Sequence, residues 1–324
     1  MISRRLVLAR VVLAVMSAAL SASAHAADYP DRPIKVLHGF GAGGPPDTVL
    51  RLIAKRLESS LGNPVLIENH PGASGTIAAS VVARAVPDGY TLLFGVAANL
   101  AVAPAIMKPA PYDPVAAFQP IVEVARGPYL WLVRSDAPAQ NMKEFVAGAR
   151  RRPGELHYGT PGIASVHHFA TEMLQRAAGI SMTQVPYTSS PYTALLGGQI
   201  DAMFESLPGP LPFLESGKLR ALAVSGPKRL ARLPEVPTLA EQGIAGVDAS
   251  SWWGFVGPAG LPAPIVERLN LEVRNALRDP EIMESLQRLG IEPTPSTSTA
   301  FGSFIAEENA RWTRMARSIG VAGS

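Results

Sequence analysis

Three glycines in the segment GFGAGGPPDTVL have the types and spacing of a phosphate-binding turn. Gly39, Gly41 and Gly44 read G-x-G-x-x-G between a short apolar run and an amphipathic one. Glycines at these positions permit a tight turn and let a pyrophosphate approach the start of the next helix. Glu68 lies near the end of the following apolar run, where a dinucleotide site needs an acidic residue. Two interpretations are open: a nicotinamide or flavin enzyme, or a glycine loop for a smaller ligand.

The segments around this loop predict a parallel α/β sheet. Asp47 suits the N-cap of an amphipathic helix, and Gly62 suits its C-terminal stop. Short apolar runs on either side of helical patterns indicate a βαβαβ unit. The predicted elements are strands 33–38, 64–72 and 90–100, alternating with helices 47–62 and 74–89.

The remainder of the chain predicts a second α/β unit. Residues 101–125 show no clear periodicity, and a new strand begins at Gly127. Strands and helices alternate after it, and the chain ends in a long helix over 299–320. Two α/β units joined by more than one crossing would form a hinged cleft. We expect one domain of residues 27–125 with 251–324, and a second of residues 126–250.

The first 26 residues predict a secretory signal peptide. They combine a basic start, an apolar run and the small-residue exit Ala24-His25-Ala26. The pair Arg4-Arg5 leaves open whether export uses the general or the twin-arginine route. The sequence contains no cysteine, so it has no lipoprotein anchor, disulfide or thiolate ligand. The expected location is the periplasm, after cleavage near Ala26 and without a lipid anchor.

Charge and motifs argue against several function classes. Without the three leader arginines, the chain has 26 basic and 26 acidic groups, so its formal net charge is zero. Nucleic-acid binders have a basic surface instead. The segment 72–76 fails the G-x-S-x-G pattern at its last position, and no Walker loop is present. Adjacent helical residues point about 100° apart, so His167 and His168 cannot chelate a metal from one face. We predict neither a metal nor a cofactor.

A second glycine-bearing loop, YGTPGIASVHH at residues 158–168, repeats the order strand, loop, helix. In open parallel sheets, ligands bind at the carboxyl ends of strands, where such loops meet helix N-termini. If each α/β unit presents one loop, two helix N-termini face each other across the cleft. Main-chain N–H groups and positive dipole ends would then bind an anion without lysine or arginine. A carboxylate is the expected ligand.

The sequence resembles the solute-binding receptors of the tripartite tricarboxylate transporter family, the Bug-type periplasmic receptors. An F-x-x-G-G-x-x-D element lies at Phe40, Gly43, Gly44 and Asp47. The resemblance runs in the same order along essentially the whole mature chain. Other segments that carry it are LGNPVLIENHPGASG, PDGYTLLFG, YGTPGIASVHHF, VPYTSSPYTALLGGQIDAMF, LPEVPTLAEQG and WWGFVGPAGLP.

This resemblance implies a type II periplasmic-binding-protein fold, a two-domain α/β Venus flytrap in which each domain has a mainly parallel sheet flanked by helices. It implies a monomer without enzymatic activity that captures a small organic acid and delivers it to integral-membrane transporter subunits. Main-chain and water contacts from the two loops would bind the ligand. The predicted ligand-binding residues are Phe40, Ala42, Gly43, Gly44, Asp47, Ala97, Asn99, Thr160, Gly162, Ala164 and Ser165.

Several alternatives stay open at this point. Asp47 suits a helix N-cap better than a ligand contact, and Thr160 and Ser165 suit either role equally. The pair Trp252-Trp253 fits buried core better than an aromatic cage. A periplasmic hydrolase or isomerase, or a sensor with a signalling partner, would share the scaffold. Ligand identity is open because the family pattern is altered at Gly41-Ala42, Pro45-Pro46, Ala164 and Thr188-Ser189.

Overall fold

The computed structural model describes residues 29–162, 165–187, 190–247 and 249–318. The predicted signal peptide, residues 1–26, lies outside the described residues. The strands are β1 Ile34–His38, β2 Val65–Asn69, β3 Thr91–Val96, β4 Phe118–Arg134, β5 His157–Thr160, β6 Thr183–Pro186, β7 Ala202–Ser206, β8 Leu219–Val224, β9 Ser250–Pro258 and β10 Glu292–Pro293. The helices are α1 Pro45–Leu61, α2 Thr76–Ala83, α3 Ala103–Ile106, α4 Met142–Arg151, α5 Val166–Ala178, α6 Tyr192–Leu196, α7 Leu211–Glu215, α8 Ala263–Ala276, α9 Pro280–Arg288 and α10 Ser298–Ser318.

The predicted βαβαβ unit is confirmed. Strand β1 pairs in parallel with β2 on one side and with β3 on the other. The buried positions of α1, including Val49, Leu50 and Ile53, pack in one apolar cluster with Ile34 and Val36 of β1. Helix α1 ends where predicted, since Gly62 takes a left-handed conformation with φ 71°.

A second parallel unit lies further along the chain, where β5 pairs with β6 and β7. The path through the sheet runs β2-β1-β3-β9-β4-β7-β5-β6, with β8 and β10 also paired to β4. Each half therefore has three parallel strands; β9 is antiparallel to β3 of the first half, and β4 is antiparallel to β7 of the second. This mixed α/β sheet has helices inserted between its parallel strands, as the sequence predicts.

Strand β4 joins the two halves. Its residues Phe118 to Pro128 pair with β9, and its residues from Tyr129 onward pair with β7 and β8. Residues 101–125 were predicted to have no regular element, which is wrong for the start of β4 at Phe118. The strand is mostly buried and shifts register twice against β9. Its sequence therefore lacks the alternation of apolar and polar residues that indicates a half-exposed strand, and its prolines argue against a strand. The predicted domain boundaries at 125/126 and 250/251 stay a prediction.

Two other predicted elements are shorter in the structure. The strand predicted over 90–100 ends at Val96, and residues Ala98–Val102 form a π-helical turn. The helix predicted over 74–89 spans only Thr76–Ala83, after a single 3-10 turn at Ala73–Gly75. The 3-10 turn after β2 and the π-helical turn after β3 place irregular backbone at the edge where a ligand site is expected, whereas residues 84–89 lie before β3 at the opposite edge.

Helix α10 contacts both halves of the sheet. Phe301, near its start, packs edge-on against Trp252 of β9, and Trp312, near its end, lies 5.5 Å from Phe169 of α5 between ring centroids. Trp252 and Trp253 are buried, which confirms their interpretation as core residues. The buried Glu308 carboxylate accepts the indole N–H groups of Trp252 at 3.2 Å and of Trp312 at 3.0 Å.

Glu308→Ala is expected to lower the free energy of unfolding by about 2–6 kcal/mol, because two buried indole N–H groups lose their acceptor at about 1–3 kcal/mol each. Glu308→Gln keeps an acceptor oxygen and is expected to cost less. Glu307→Ala, on the exposed neighbouring position, is the matched control. Urea unfolding of the three variants measures the difference, and an unchanged midpoint for Glu308→Ala would contradict this role.

Candidate functional site

The carboxyl ends of the parallel strands in both halves face the point where β4 crosses. In the first half, β3 and β4 are both antiparallel to β9, so β1, β2 and β3 run in the direction of β4, toward the crossing. In the second half, β7 is antiparallel to β4, and its last residue, Ser206, pairs with Tyr129. The loops that follow these strands therefore lie at two facing edges, which is the geometry of an interlobe binding cleft.

In the first half, the loops after β1, β2 and β3 pack together as one unit. A Cβ atom on Gly39 would lie 2.5 Å from the Cα atom of Gly75, so the two backbones touch. Asn69 Nδ2 donates to the Phe40 carbonyl at 2.9 Å. Asn99 Nδ2 lies 3.3 Å from the Gly75 carbonyl, to which it donates, and its Oδ1 accepts the Val96 N–H at 2.8 Å. These amide side chains fix the positions of the three loops relative to one another.

Asp47 supports this loop from within the protein. The prediction of an N-cap is wrong, since Gly44 is the N-cap and Asp47 is the third helical residue. Its carboxylate, in a residue 1% exposed, accepts hydrogen bonds from the Gly43 N–H at 2.9 Å, Arg51 Nε at 2.8 Å and Asn69 Nδ2 at 3.0 Å. Burial raises the pKa of Asp47, but the bonds from Arg51, Gly43 and Asn69 outweigh it and lower the pKa to about 2.

The predicted site residues of the first half differ in exposure. Ala42 and Gly43 are exposed, and Phe40 and Gly44 are half-buried. Ala97 and Asn99 are buried. All of these residues lie at one edge of the sheet, and among them only those of the loop over 40–44 are accessible to solvent.

The second loop is fixed by its own hydroxyl groups. Thr160 Oγ1 donates to the Gly162 carbonyl at 2.9 Å and accepts from Gln184 Nε2 at 2.8 Å. Ser165 is the N-cap of α5, and its Oγ accepts the His168 N–H at 3.2 Å and donates to the Gly162 carbonyl at 2.9 Å. Gly162 has φ +126°, a conformation that other residues rarely adopt. Ala164 lies outside the described residues.

A half-buried polar cluster around the single carboxylate Glu205 lies at the same edge, and no sequence motif indicated it. Glu205, on β7, accepts hydrogen bonds from Ser190 Oγ at 2.6 Å and the Ser206 N–H at 2.9 Å, and lies 3.4 Å from His167 Nε2. Burial raises the pKa of Glu205, but the charge and hydrogen bond of His167 and the bonds from Ser190 and Ser206 outweigh it, so the pKa is lowered. These residues come from three separate segments, so no sequence spacing indicated them. The cluster ties together the loops after β5, β6 and β7.

The two halves differ in their capacity to bind an anion. Helix α1 begins with Pro45 and Pro46, which have no N–H, and the Gly43 N–H already donates to Asp47. Helix α5 begins with Val166 and His167, which carry N–H groups at its positive end. His168 lies near Glu172 at 3.9 Å while His167 lies near Glu205, so the two imidazoles point apart as expected. The N-terminus of α5 in the second half is therefore the more favourable of the two helix ends for binding an anion.

Comparisons with known proteins agree with this architecture. The model of the tripartite tricarboxylate transporter family receptor matches residues 49–321. The protein BugT of Bordetella pertussis is 32% identical over 317 residues, which cover 97% of each chain. Within the part of the chain that the structure describes, no helix is long and apolar enough to cross a membrane.

Three solved structures are similar over nearly the whole chain. The periplasmic binding protein BugD is 33% identical with a TM-score of 0.81, over 91% of this chain and all of the other. Rpa4515 of Rhodopseudomonas palustris with adipate is 34% identical with a TM-score of 0.84, over 91% and 100%. MatC of the same organism with bound malate is 33% identical with a TM-score of 0.78, over 89% and 99%. The predicted fold class is confirmed, and the chain belongs to the tripartite tricarboxylate transporter receptor family, the Bug-type periplasmic solute-binding proteins.

Proposed function

We propose that this receptor binds a small carboxylate in the cleft between the loop over 39–47 and the loop over 158–168, and delivers it to a tripartite tricarboxylate-type membrane transporter. The observation that carries the proposal is the direction of the strands, because both sets of carboxyl ends meet at the β4 crossing. Ligands of such folds bind at facing loops, and closure follows when a ligand contacts both halves.

The chemistry of the loops supports an acid with two binding points. The second half supplies the N-terminus of α5, a site that favours a carboxylate. The first half supplies exposed main chain at Ala42 and Gly43 rather than a charged side chain. Two structural relatives at 33–34% identity contain adipate and malate, which are dicarboxylates. A dicarboxylate that spans the two loops is therefore the ligand class we propose.

The nucleotide interpretation of the glycine motif has less support. Pro45 and Pro46 occupy the first two helical positions, where a pyrophosphate requires main-chain N–H groups. Glu68, the candidate ribose ligand, forms a salt bridge with Lys35 at 3.1 Å. A periplasmic receptor also has no access to the cytoplasmic nicotinamide pool. We therefore assign the motif to the tight packing of Gly39 against Gly75.

The test is a screen of purified mature protein against dicarboxylates, hydroxy acids and neutral analogues. A bound dicarboxylate is expected to raise the melting temperature by about 5–10 °C at roughly a hundredfold excess over Kd, because it stabilises only the native state. Mass spectrometry of the released ligand identifies the solute and shows whether it is chemically unchanged. Stabilisation by a neutral compound alone would contradict the carboxylate class, and conversion of the ligand would contradict a receptor.

A further inference from the structure

The proposed solute site brings a carboxylate close to one that the protein already contains. Glu205 is the penultimate residue of β7, and its side chain is 12% exposed. It accepts hydrogen bonds from Ser190 Oγ at 2.6 Å and the Ser206 N–H at 2.9 Å, and its pKa is lowered, so it is ionised at neutral pH. Its Oε1 atom lies 3.4 Å from His167 Nε2, in the first turn of α5. A solute carboxylate at the N-terminus of α5 is therefore repelled by Glu205 unless a positive charge offsets this repulsion.

His167 lies where such a charge is needed. It is the second helical residue of α5, and its side chain is 16% exposed. Because the Cα–Cβ bonds of a helix tilt toward its N-terminus, the imidazole leans toward the helix end at which the solute carboxylate is proposed to bind. Its ring centroid lies 4.7 Å from that of Tyr129, on the crossing strand β4. His167 is therefore next to both Glu205 and the proposed anion site.

One nitrogen of this imidazole has no hydrogen-bond partner in the described part of the chain. The ionised Glu205 only accepts, so Nε2 donates to it, and a neutral imidazole then has a lone pair on Nδ1. Nδ1 is the buried atom without a partner. A proton on Nδ1 would be a buried donor without an acceptor, at a cost of about 1–3 kcal/mol. A solute carboxylate offsets this cost, because an opposite charge within about 4–6 Å favours the charged form even without direct contact.

The other titratable groups around the imidazole do not supply this charge. Tyr129 on β4 packs against the ring, and Tyr192 on α6 lies near Glu205. Burial and the charge of Glu205 raise the pKa of both phenols, so they stay uncharged at neutral pH. His168, the next residue of α5, lies beside a different carboxylate, Glu172, at 3.9 Å. The pair that the imidazole forms with Glu205 is therefore negative while the imidazole is neutral, and has no net charge once it is protonated.

We propose that His167 is a specificity-determining residue of the solute site, and that a solute carboxylate binds at the N-terminus of α5 together with one proton that His167 takes from the solvent. The proton stays on the imidazole and the solute stays a carboxylate. This proposal rests on the proposed solute-binding function. Because binding takes up a proton, affinity falls as pH rises, by up to about tenfold per pH unit for one proton. A neutral solute does not gain from the imidazolium.

The experiment is calorimetric titration from about pH 6 to about pH 8.5, the range in which histidine changes charge. At each pH, two buffers with different heats of ionisation give the number of protons taken up per solute bound. The probe is the tightest binder among succinate, malate and adipate. The variants are His167→Gln, which keeps a donor for Glu205 but takes up no proton, and His167→Gln with Glu205→Gln, which also removes the negative charge. His157→Gln is the matched control, since His157 is 46% exposed and lies 4.0 Å from Asp201.

We expect the unaltered protein and the matched control to take up a proton on binding and to lose affinity as pH rises. His167→Gln is expected to take up none and to bind roughly tenfold more weakly at the acidic end, because Glu205 is left without its counter-charge.

The double variant is expected to recover most of the affinity without a dependence on pH, which a loss of local structure would not produce. Melting temperatures confirm that the variants are folded. Solute binding to the unaltered protein without proton uptake, equal uptake by His167→Gln, or a double variant no tighter than His167→Gln would overturn this proposal alone. Absence of binding of all three dicarboxylates would contradict the proposed function, and this proposal with it.

Discussion

Gly39→Ala is expected to destabilise the protein and to weaken solute binding at least tenfold, whereas Gly41→Ala is expected to do neither. A Cβ atom on Gly39 would meet the Cα atom of Gly75 at 2.5 Å and its carbonyl oxygen at 2.8 Å. Both are backbone atoms, so no side-chain rotation relieves the clash. The loop after β1 and the turn after β2 must separate, at a cost of about 1–3 kcal/mol for overpacking.

Gly41 provides the matched control within the same loop. A Cβ atom there meets nothing within 4 Å, and the φ of Gly41 lies outside the left-handed region. Gly41→Ala is therefore expected to change the free energy of unfolding by less than about 0.5 kcal/mol. Thermal unfolding and calorimetric titration with the solute found in the screen measure both effects. Equal behaviour of the two variants would contradict the packing of Gly39 on Gly75.

The first parallel unit was predictable because its signals are local. Strand β1 and helix α1 follow hydrophobic periodicity, and Gly62 ends the helix with the left-handed conformation that its residue type favours. Strand β4 was only partly predictable. It is paired on both edges and has irregular register, so burial comes from neighbours that are distant in sequence.

The candidate site was predictable as two loops but not as a set of contacts. Family resemblance and strand–loop–helix order indicated residues 39–47 and 158–168, which the fold places at facing edges. The role of Asp47 depends on Asn69, 22 residues away, and the cluster around Glu205 depends on Ser190 and His167. Such contacts form only when separate loops meet, and no spacing in the sequence encodes them.

Asp47→Asn is expected to lower the free energy of unfolding at neutral pH by about 1.5–3 kcal/mol, the usual contribution of hydrogen bonds to a charged group. The carboxylate accepts from the Gly43 N–H, Arg51 and Asn69. Asparagine has the same shape, but its amide nitrogen would face one of these donors. Because asparagine is uncharged, it also no longer attracts Arg51. The loop that Gly43 anchors is then less ordered, so we also expect solute affinity to fall about tenfold.

The lowered pKa of the Asp47 carboxylate also predicts how the free energy of unfolding changes with pH. The pKa of Asp47 is about 2 in the folded protein, below its ordinary value of 3.8. A group with a lowered folded pKa contributes stability above its unfolded pKa and loses it as pH falls through the folded pKa. The contribution of Asp47 is therefore fully present above about pH 4 and is lost between about pH 4 and pH 2.

Urea unfolding from pH 7 to pH 2 separates this contribution from general acid denaturation. The Asp47→Asn variant is expected to approach the unaltered protein at the acidic end, because Asp47 is about half protonated in the folded protein at pH 2 and most of its contribution is then lost. Glu284→Gln is the control, since Glu284 is 70% exposed and pairs with Arg288 on the helix surface, where such pairs contribute little. If the difference in free energy of unfolding between Asp47→Asn and the unaltered protein stayed constant across this range, the ionised carboxylate would not be the source of the stability. The shape of the glycine loop would then depend on Asn69 and on the close approach of Gly39 to Gly75.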